Sequence, residues 1–247
     1  MWRSLRTRVT QGSPLVRDLR AAVPRDLRGL PVISAAPCAD GCRACAEVCP
    51  TAAIATSPLA LDLGKCVFCN ECVLACPEQK ITFTPEPRLG ARRSADLVVL
   101  EGPARRPAVA VAEALRAHFG RSLRMRQVCA GGCNGCELEL AALGNVNFDL
   151  QRFGIEWVAS PRHADALVLS GPITSAMAPA LRLCWDAMPE PRFLVAFGAC
   201  TISGGLYADS STLERAFLDD IGPTLYVPGC PPHPLTFASA ILDLLGI

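Results

Sequence analysis

The 247-residue sequence predicts an α/β C-terminal half built on an open parallel sheet, preceded by a small cysteine-bound α+β block. Two observations carry this. From residue 124 onward, apolar runs at 124–129, 155–159, 166–170, 193–198 and 224–228 alternate with helix-like stretches at 136–150, 176–188 and 234–245. That alternation is the pattern of a parallel sheet with helices on both faces. Ahead of it, eight of the 14 cysteines crowd into residues 31–85 and form an internal repeat.

Residues 1–30 hold seven arginines against two aspartates, among scattered Leu, Val and Trp2. Two readings stand for this basic N-terminal arm: a flexible tail, or a segment that orders against a partner subunit or a membrane surface. The leader has no apolar core of the kind an export signal needs, and no apolar run approaches the roughly 18–20 residues of a membrane span. The expectation is a cytoplasmic chain with no transmembrane segment of its own, whose thiols stay reduced. A net charge of +1 gives no global attraction to nucleic acid, so none is expected as a partner.

In residues 31–85, Cys42, Cys45 and Cys49 recur 27 positions later as Cys69, Cys72 and Cys76, while Cys38 and Cys66 differ by 28. The repeat reads Cys-x3-Cys-x2-Cys-x3-Cys-Pro, then Cys-x2-Cys-x2-Cys-x3-Cys-Pro. The second copy has the spacing of bacterial two-cluster ferredoxins, in which the fourth cysteine of each run serves the other cluster. Short spacings let one tight loop wrap three thiolates around an iron–sulfur cube, and the Cys-Pro step sends the fourth across to its neighbour. On that logic Cys38, Cys42, Cys45 and Cys76 hold one [4Fe–4S] cluster, and Cys66, Cys69, Cys72 and Cys49 hold a second. Zinc takes two separated Cys-x2-Cys pairs instead. The first copy carries one extra residue between Cys38 and Cys42, which Gly41 is suited to absorb in a turn; the alternative is a cube lacking one iron, with Cys38 not a ligand. A block this short needs such a metal staple.

Residues 86–123, rich in Arg, Pro and Ala, read as a linker that docks on the larger domain. Its helix runs from Pro107 to His118, with Gly120 just beyond.

In residues 124–247, Cys133 and Cys136 follow the first strand, Cys200 ends the fourth and Cys230 the fifth. Loops at the carboxyl ends of parallel strands are where open α/β sheets place ligands, so these four thiolates suit a third [4Fe–4S] cluster. Buried cysteines of a Cys-rich core are the competing reading. Gly135, Gly198 and Gly229 beside the ligands would let backbone amides approach the sulfurs, and Pro231 and Pro232 would stiffen the last loop. Cys129 stands close enough to compete as a ligand. Cys184, on a predicted helix, reads as a small core hydrophobe. His233 is either a hydrogen-bond donor near the cluster or a solvated loop residue. No GxGxxG fingerprint and no nucleophile–base pair is present, so no catalytic residue is expected.

The stretches Gly131-Gly-Cys-Asn-Gly-Cys-Glu-Leu-Glu139, Arg152-Phe-Gly-Ile-Glu156, Ser160-Pro-Arg-His-Ala-Asp165, Leu169-Ser-Gly-Pro-Ile-Thr174, Phe197-Gly-Ala-Cys-Thr-Ile-Ser-Gly-Gly205 and Tyr226-Val-Pro-Gly-Cys-Pro-Pro-His-Pro234 resemble the small subunit of energy-converting, membrane-bound [NiFe] hydrogenases, including formate hydrogenlyase. They are also similar to the homologous 20 kDa subunit of respiratory complex I. The resemblance implies a flavodoxin-like fold and a proximal cluster on Cys133, Cys136, Cys200 and Cys230. The first ligand pair, Cys133-Asn-Gly-Cys136, is similar to the hydrogenase branch. Glu139 matches an acidic position that the family associates with proton or quinone coupling; the alternative is a first-turn glutamate stabilised by the helix dipole. The segment between Gly205 and Tyr226 is shorter than the family shows.

The N-terminal half, including its basic leader, resembles the two-cluster ferredoxin subunit of the same complexes, so the chain reads as a fusion of two electron-transfer neighbours. The implied function is an electron-transfer subunit, doing no bond-making chemistry itself, of a membrane-associated [NiFe] hydrogenase complex. Its partners would be a catalytic large subunit and other subunits, on the inner face of the cell membrane. The alternatives are a complex I-like quinone oxidoreductase subunit, a nickel-free relative, and a soluble polyferredoxin-like carrier.

Overall fold

A computed structural model describes residues 2–103 and 107–247. The linker's residues 104–106 and the arm's first residue lie outside the described residues.

The chain opens with α1 (Trp2–Gln11), an exposed helix with no buried residue. The cysteine-rich block follows with β1 (Pro31–Ile33), α2 (Ala44–Glu47), β2 (Ile54–Thr56), β3 (Leu59–Asp62), α3 (Glu71–Leu74) and β4 (Ile81–Phe83). Strands β1 and β4 pair antiparallel, as do β2 and β3. Strand β5 (Val98–Leu100), within the segment that the sequence presents as linker, adds to β3 as a third strand. The two four-residue helices stand 27 positions apart, as the repeat requires. Ile33, Leu61, Leu63, Ile81 and Leu97 close a small core of their own.

Next come α4 (Glu113–Phe119), β6 (Leu123–Cys129), α5 (Gly135–Ala142), β7 (Ile155–Trp157), β8 (Ala166–Ser170), α6 (Ala178–Asp186), β9 (Phe193–Phe197), α7 (Ala199–Ser203), α8 (Ala216–Ile221), β10 (Leu225–Val227) and α9 (Pro234–Leu245). Strands β6 to β10 form one parallel sheet in the order β10-β9-β8-β6-β7. Numbered within the sheet this is 2-1-3-4-5, the order of flavodoxin-like sheets, with its switch point between β6 and β8. Strands β8 and β9 are buried at every position, as continuous apolar runs between two helical layers must be. Alternate residues face opposite ways: Ala166 and Val168 join α4, α5 and α9 on one face, while Leu167 and Leu169 join α6 and α8 on the other. Phe197 and Phe237 meet edge to face at 5.7 Å between centroids, and burying each ring contributes about 2–3 kcal/mol.

The helix expected over 136–150 ends at Ala142. The next three amides bond back only three residues, tightening the chain into a turn at Gly144 and Asn145. Helices α7 and α8 are too short to leave a periodic signal. The segment between Gly205 and Tyr226 carries α8 and a bridge from Leu213 to Thr174.

The two halves are packed together. Ala91 exchanges backbone hydrogen bonds of 3.0 and 2.8 Å with Tyr226 on the edge strand β10. Gly64 sits so close to Ile202 that an added Cβ would lie 2.8 Å from Ile202 Cγ2. From residue 13 the arm follows the C-terminal domain: Val16 N–H donates to Asn147 O at 2.8 Å and Leu19 is buried in the main core. The linker also docks there, with Ala112 N–H donating to Leu244 O at 2.8 Å.

Candidate metal centres

Each half of the cysteine repeat builds the same local device. After the Cys-Pro step the chain takes a left-handed turn, at Ala52 (φ 47°) in the first copy and Gln79 (φ 48°) in the second. That turn aims the next amide back at the sulfur: Ala53 N–H donates to Cys49 Sγ at 3.2 Å and Lys80 N–H to Cys76 Sγ at 3.3 Å. Phe68 N–H, only two residues after its acceptor, donates to Cys66 Sγ at 3.3 Å. Amides directed at sulfur favour the thiolate. Gly41 takes φ 70° in the turn that absorbs the extra residue, with Cys42 N–H donating to Ala39 O at 3.0 Å.

Cys38, Cys42, Cys45 and Cys76 line one cavity of about 380 Å³, together with Lys80. Cys49, Cys66, Cys69 and Cys72 line another. The fold therefore crosses the fourth cysteine of each run to the opposite set. Burial first, and the neighbouring cysteines after it, push the Cys66 thiol up to about 12 and Cys72 to about 11, with the Phe68 amide opposing part of the rise at Cys66. Cys45 is raised by burial and then by Cys76 and Cys38. Ionising several such thiols together requires a cationic core between them. Among the described residues no three His, Cys, Asp or Glu side chains close in tightly enough to hold a single metal ion.

The third set comes from three strand ends. Asn134 takes φ 71° to turn the chain from Cys133 into α5, whose first turn carries Cys136. Cys200 sits in α7 directly after β9, and Cys230 lies beyond β10. Burial is the largest cause raising Cys136, Cys200 (to about 11) and Cys230; Glu137 and the other three cysteines add to the shift at Cys136, Cys230 and Cys133 to that at Cys200, and Cys133 to that at Cys230. Gly198 (φ 90°) leaves room for a sulfur: a Cβ there would lie 3.0 Å from Cys136 Sγ. Its amide is used elsewhere, donating to Val227 O at 2.9 Å, so this glycine supplies space and not a sulfur hydrogen bond. Chemically, four soft donors held by rigid loops in each of three places fit iron–sulfur cubes.

The remaining candidates resolve individually. Cys129 accepts from Gly132 N–H at 3.3 Å and lies beside the Glu137 carboxylate. Cys184 is half-buried, packed against the α6/α8 core and close to Arg126. His233 caps α9, its Nδ1 accepting from Leu235 N–H at 3.1 Å, and its ring meets Phe148 edge-on; burial lowers its pKa. Glu139 is half-buried and its pKa is raised by burial.

Glu137, next to Cys136, is the residue that sequence reasoning missed. Burial pushes its carboxyl up, but the Ser170 hydroxyl, its own backbone amide and Cys129 bring it below the usual carboxylate range. Its position after a candidate ligand was visible; its partner on β8 was not.

The third set faces the second. Val67 and Phe68, between Cys66 and Cys69, line a cavity of about 220 Å³ with Gly229, Cys230, Pro231 and His233. Cys72 also feels Cys45 of the first set electrostatically. The order along the molecule is thus first set, second set, third set. No described helix is long and apolar enough to cross a membrane.

Residues 133–244 match the family described as NADH ubiquinone oxidoreductase, 20 Kd subunit. The chain is 43% identical over 129 residues to formate hydrogenlyase subunit 7 of Escherichia coli, covering 51% of this chain and 50% of that protein. It is 44% identical over 110 residues to NAD(P)H-quinone oxidoreductase subunit K of a Picosynechococcus species, covering 44% of this chain and 45% of that one. The chain spans about half the length of the curated relatives it matches. Among solved structures, a chain of the membrane-bound sulfane sulfur reductase, an archaeal respiratory membrane complex, aligns with a TM-score of 0.47 at 27% identity, over 55% of this chain and 75% of that one.

Proposed function

We propose, with residues 133–244 a member of the family of the 20 Kd subunit of NADH ubiquinone oxidoreductase, that this chain is the electron-transfer subunit of a membrane-associated [NiFe] hydrogenase complex of the formate hydrogenlyase kind. The observation that carries the reading is the contact between cysteine sets. The loop holding Cys66 and Cys69 lies against the loop holding Cys230, and Gly64 lies against Ile202 beside Cys200. Clusters bound at these three sets would stand in series.

Cys38, Cys42, Cys45 and Cys76 would hold one [4Fe–4S] cluster, Cys49, Cys66, Cys69 and Cys72 a second, and Cys133, Cys136, Cys200 and Cys230 a proximal one. Each would supply reversible one-electron chemistry, within about −700 to +450 mV. The chain's own work is to fix the thiolates, direct the amides of Ala53, Phe68 and Lys80 at sulfur, and exclude water with the apolar walls of the second set. Nickel–iron chemistry would belong to a separate large subunit docked at the carboxyl edge of the sheet, where Cys133 and Cys230 are exposed. The residues 31–85 then act as a ferredoxin domain fused to their redox neighbour, and the complex holds the chain on the inner face of the membrane.

Iron, acid-labile sulfide and nickel, measured on the complex purified anaerobically through a tag on this chain, test the reading. About twelve irons and twelve sulfides per chain, with one nickel in a co-purifying subunit, are expected. The same iron without nickel would move the function to a quinone-linked or nickel-free complex. Iron below half that amount would remove the three-cluster reading altogether.

A further inference from the structure

Among the described residues Lys80 is the only charged side chain buried in the core, at 4% exposure. Its Nζ lies 3.3 Å from Glu101 Oε1, just past β5, and it reaches the Cys38 thiol. It lines the cavity of the first cysteine set together with Cys42 and Cys45. The internal repeat supplies a control. The equivalent position in the other copy, 27 residues earlier, is Ala53. Both residues donate a backbone amide to the sulfur four positions back, at 3.2 and 3.3 Å, and both follow a left-handed residue of nearly identical φ. The backbones match, and only one set carries an ammonium.

Desolvating an ammonium is expensive, and one salt bridge to a partly exposed carboxylate offsets only part of that. The ion pair with Glu101 fixes the Lys80 ammonium in place where it lines the cavity with Cys38. A fixed positive charge at contact distance favours whichever state of its neighbour is more negative, and low local dielectric strengthens the preference. A one-electron reduction, which makes and breaks no bond, adds one negative charge to a group already wrapped in four thiolates.

We propose that Lys80 is a redox-positioning residue. It raises the reduction potential of the group held by Cys38, Cys42, Cys45 and Cys76 above that of the group held by Cys49, Cys66, Cys69 and Cys72, and Glu101 moderates the effect. The set farthest from the sheet thereby becomes the one that holds an electron longest. The inference rests on the reading of these cysteines as cluster ligands.

The test is a dithionite redox titration of the full chain, purified anaerobically and followed by electron paramagnetic resonance. The first-set signal is assigned as the one lost in Cys42→Ser. Lys80→Met should lower the midpoint of that signal alone, Lys80→Arg should restore it, and Glu101→Gln should raise it. Unmoved midpoints in both Lys80→Met and Glu101→Gln, at wild-type iron content, overturn the inference while leaving the cluster reading intact. Should Lys80→Met shed its iron, Glu101→Gln decides: a raised midpoint supports the proposal and an unchanged one overturns it. A wild-type chain without iron in this set would remove the functional reading and this inference with it.

Discussion

The hydroxyl of Ser170, at the carboxyl end of β8, donates a 2.5 Å hydrogen bond to Glu137 Oε1 in the first turn of α5. This bond spans the switch point of the sheet and fixes the helix that carries Cys136. Because Glu137 has a depressed pKa in the folded chain, its contribution is present above the unfolded carboxylate pKa and is lost as pH falls through the folded value. Ser170→Ala should cost about 1 kcal/mol at neutral pH, after allowance for partial solvent screening. The deficit should shrink in acid. Denaturant midpoints of both proteins at pH 7 and near pH 3 measure it, and an equal deficit at both would contradict the pairing.

Cys200→Ala should remove about four irons of about twelve, and the signal of one cluster, leaving the two N-terminal clusters spectroscopically intact. Their ligands belong to a separate core closed by Leu61, Ile81 and Leu97. Loss of all three signals without loss of folding would show that the halves do not bind metal independently.

Gly198 combines φ 90° and ψ 155°, a conformation reserved for glycine, with a Cβ position 3.0 Å from Cys136 Sγ. Gly198→Ala should therefore destabilise the domain by about 2 kcal/mol and deplete the third set of iron before the other two. Iron content and thermal midpoint report the two effects. A variant with wild-type iron and stability would remove the steric argument.

Cys184 packs among the apolar side chains of α6 and α8, on the sheet face opposite α9. Cys184→Ala should leave iron and sulfide unchanged and cost about 1 kcal/mol or less. Loss of iron would make Cys184 a ligand, against its position.

Much of the fold was legible locally. The five strand runs stand out because central strands of a parallel sheet are apolar throughout, and β8 and β9 were bracketed almost to the residue. The 27-residue repeat was legible for the same kind of reason, since tight loops force short, regular spacings. The short helices α7 and α8 were not, because five or six residues give no period to read. The strand β5 was hidden in a Pro- and Arg-rich stretch, where its pairing with β3 is a long-range event.

The sequence by itself narrowed the chemistry, because thiolates at fixed short spacings, and thiolates at strand ends, restrict what can bind. It also determined the parallel sheet, through hydrophobic period. Only the tertiary structure decided the relationships between distant residues. It set Val67 and Phe68 against the Cys230 loop, Ser170 against Glu137, and Glu101 against a lysine that a sequence reader passes over as ordinary. Such contacts depend on burial and on which loops the topology brings to one edge, and no local pattern encodes either.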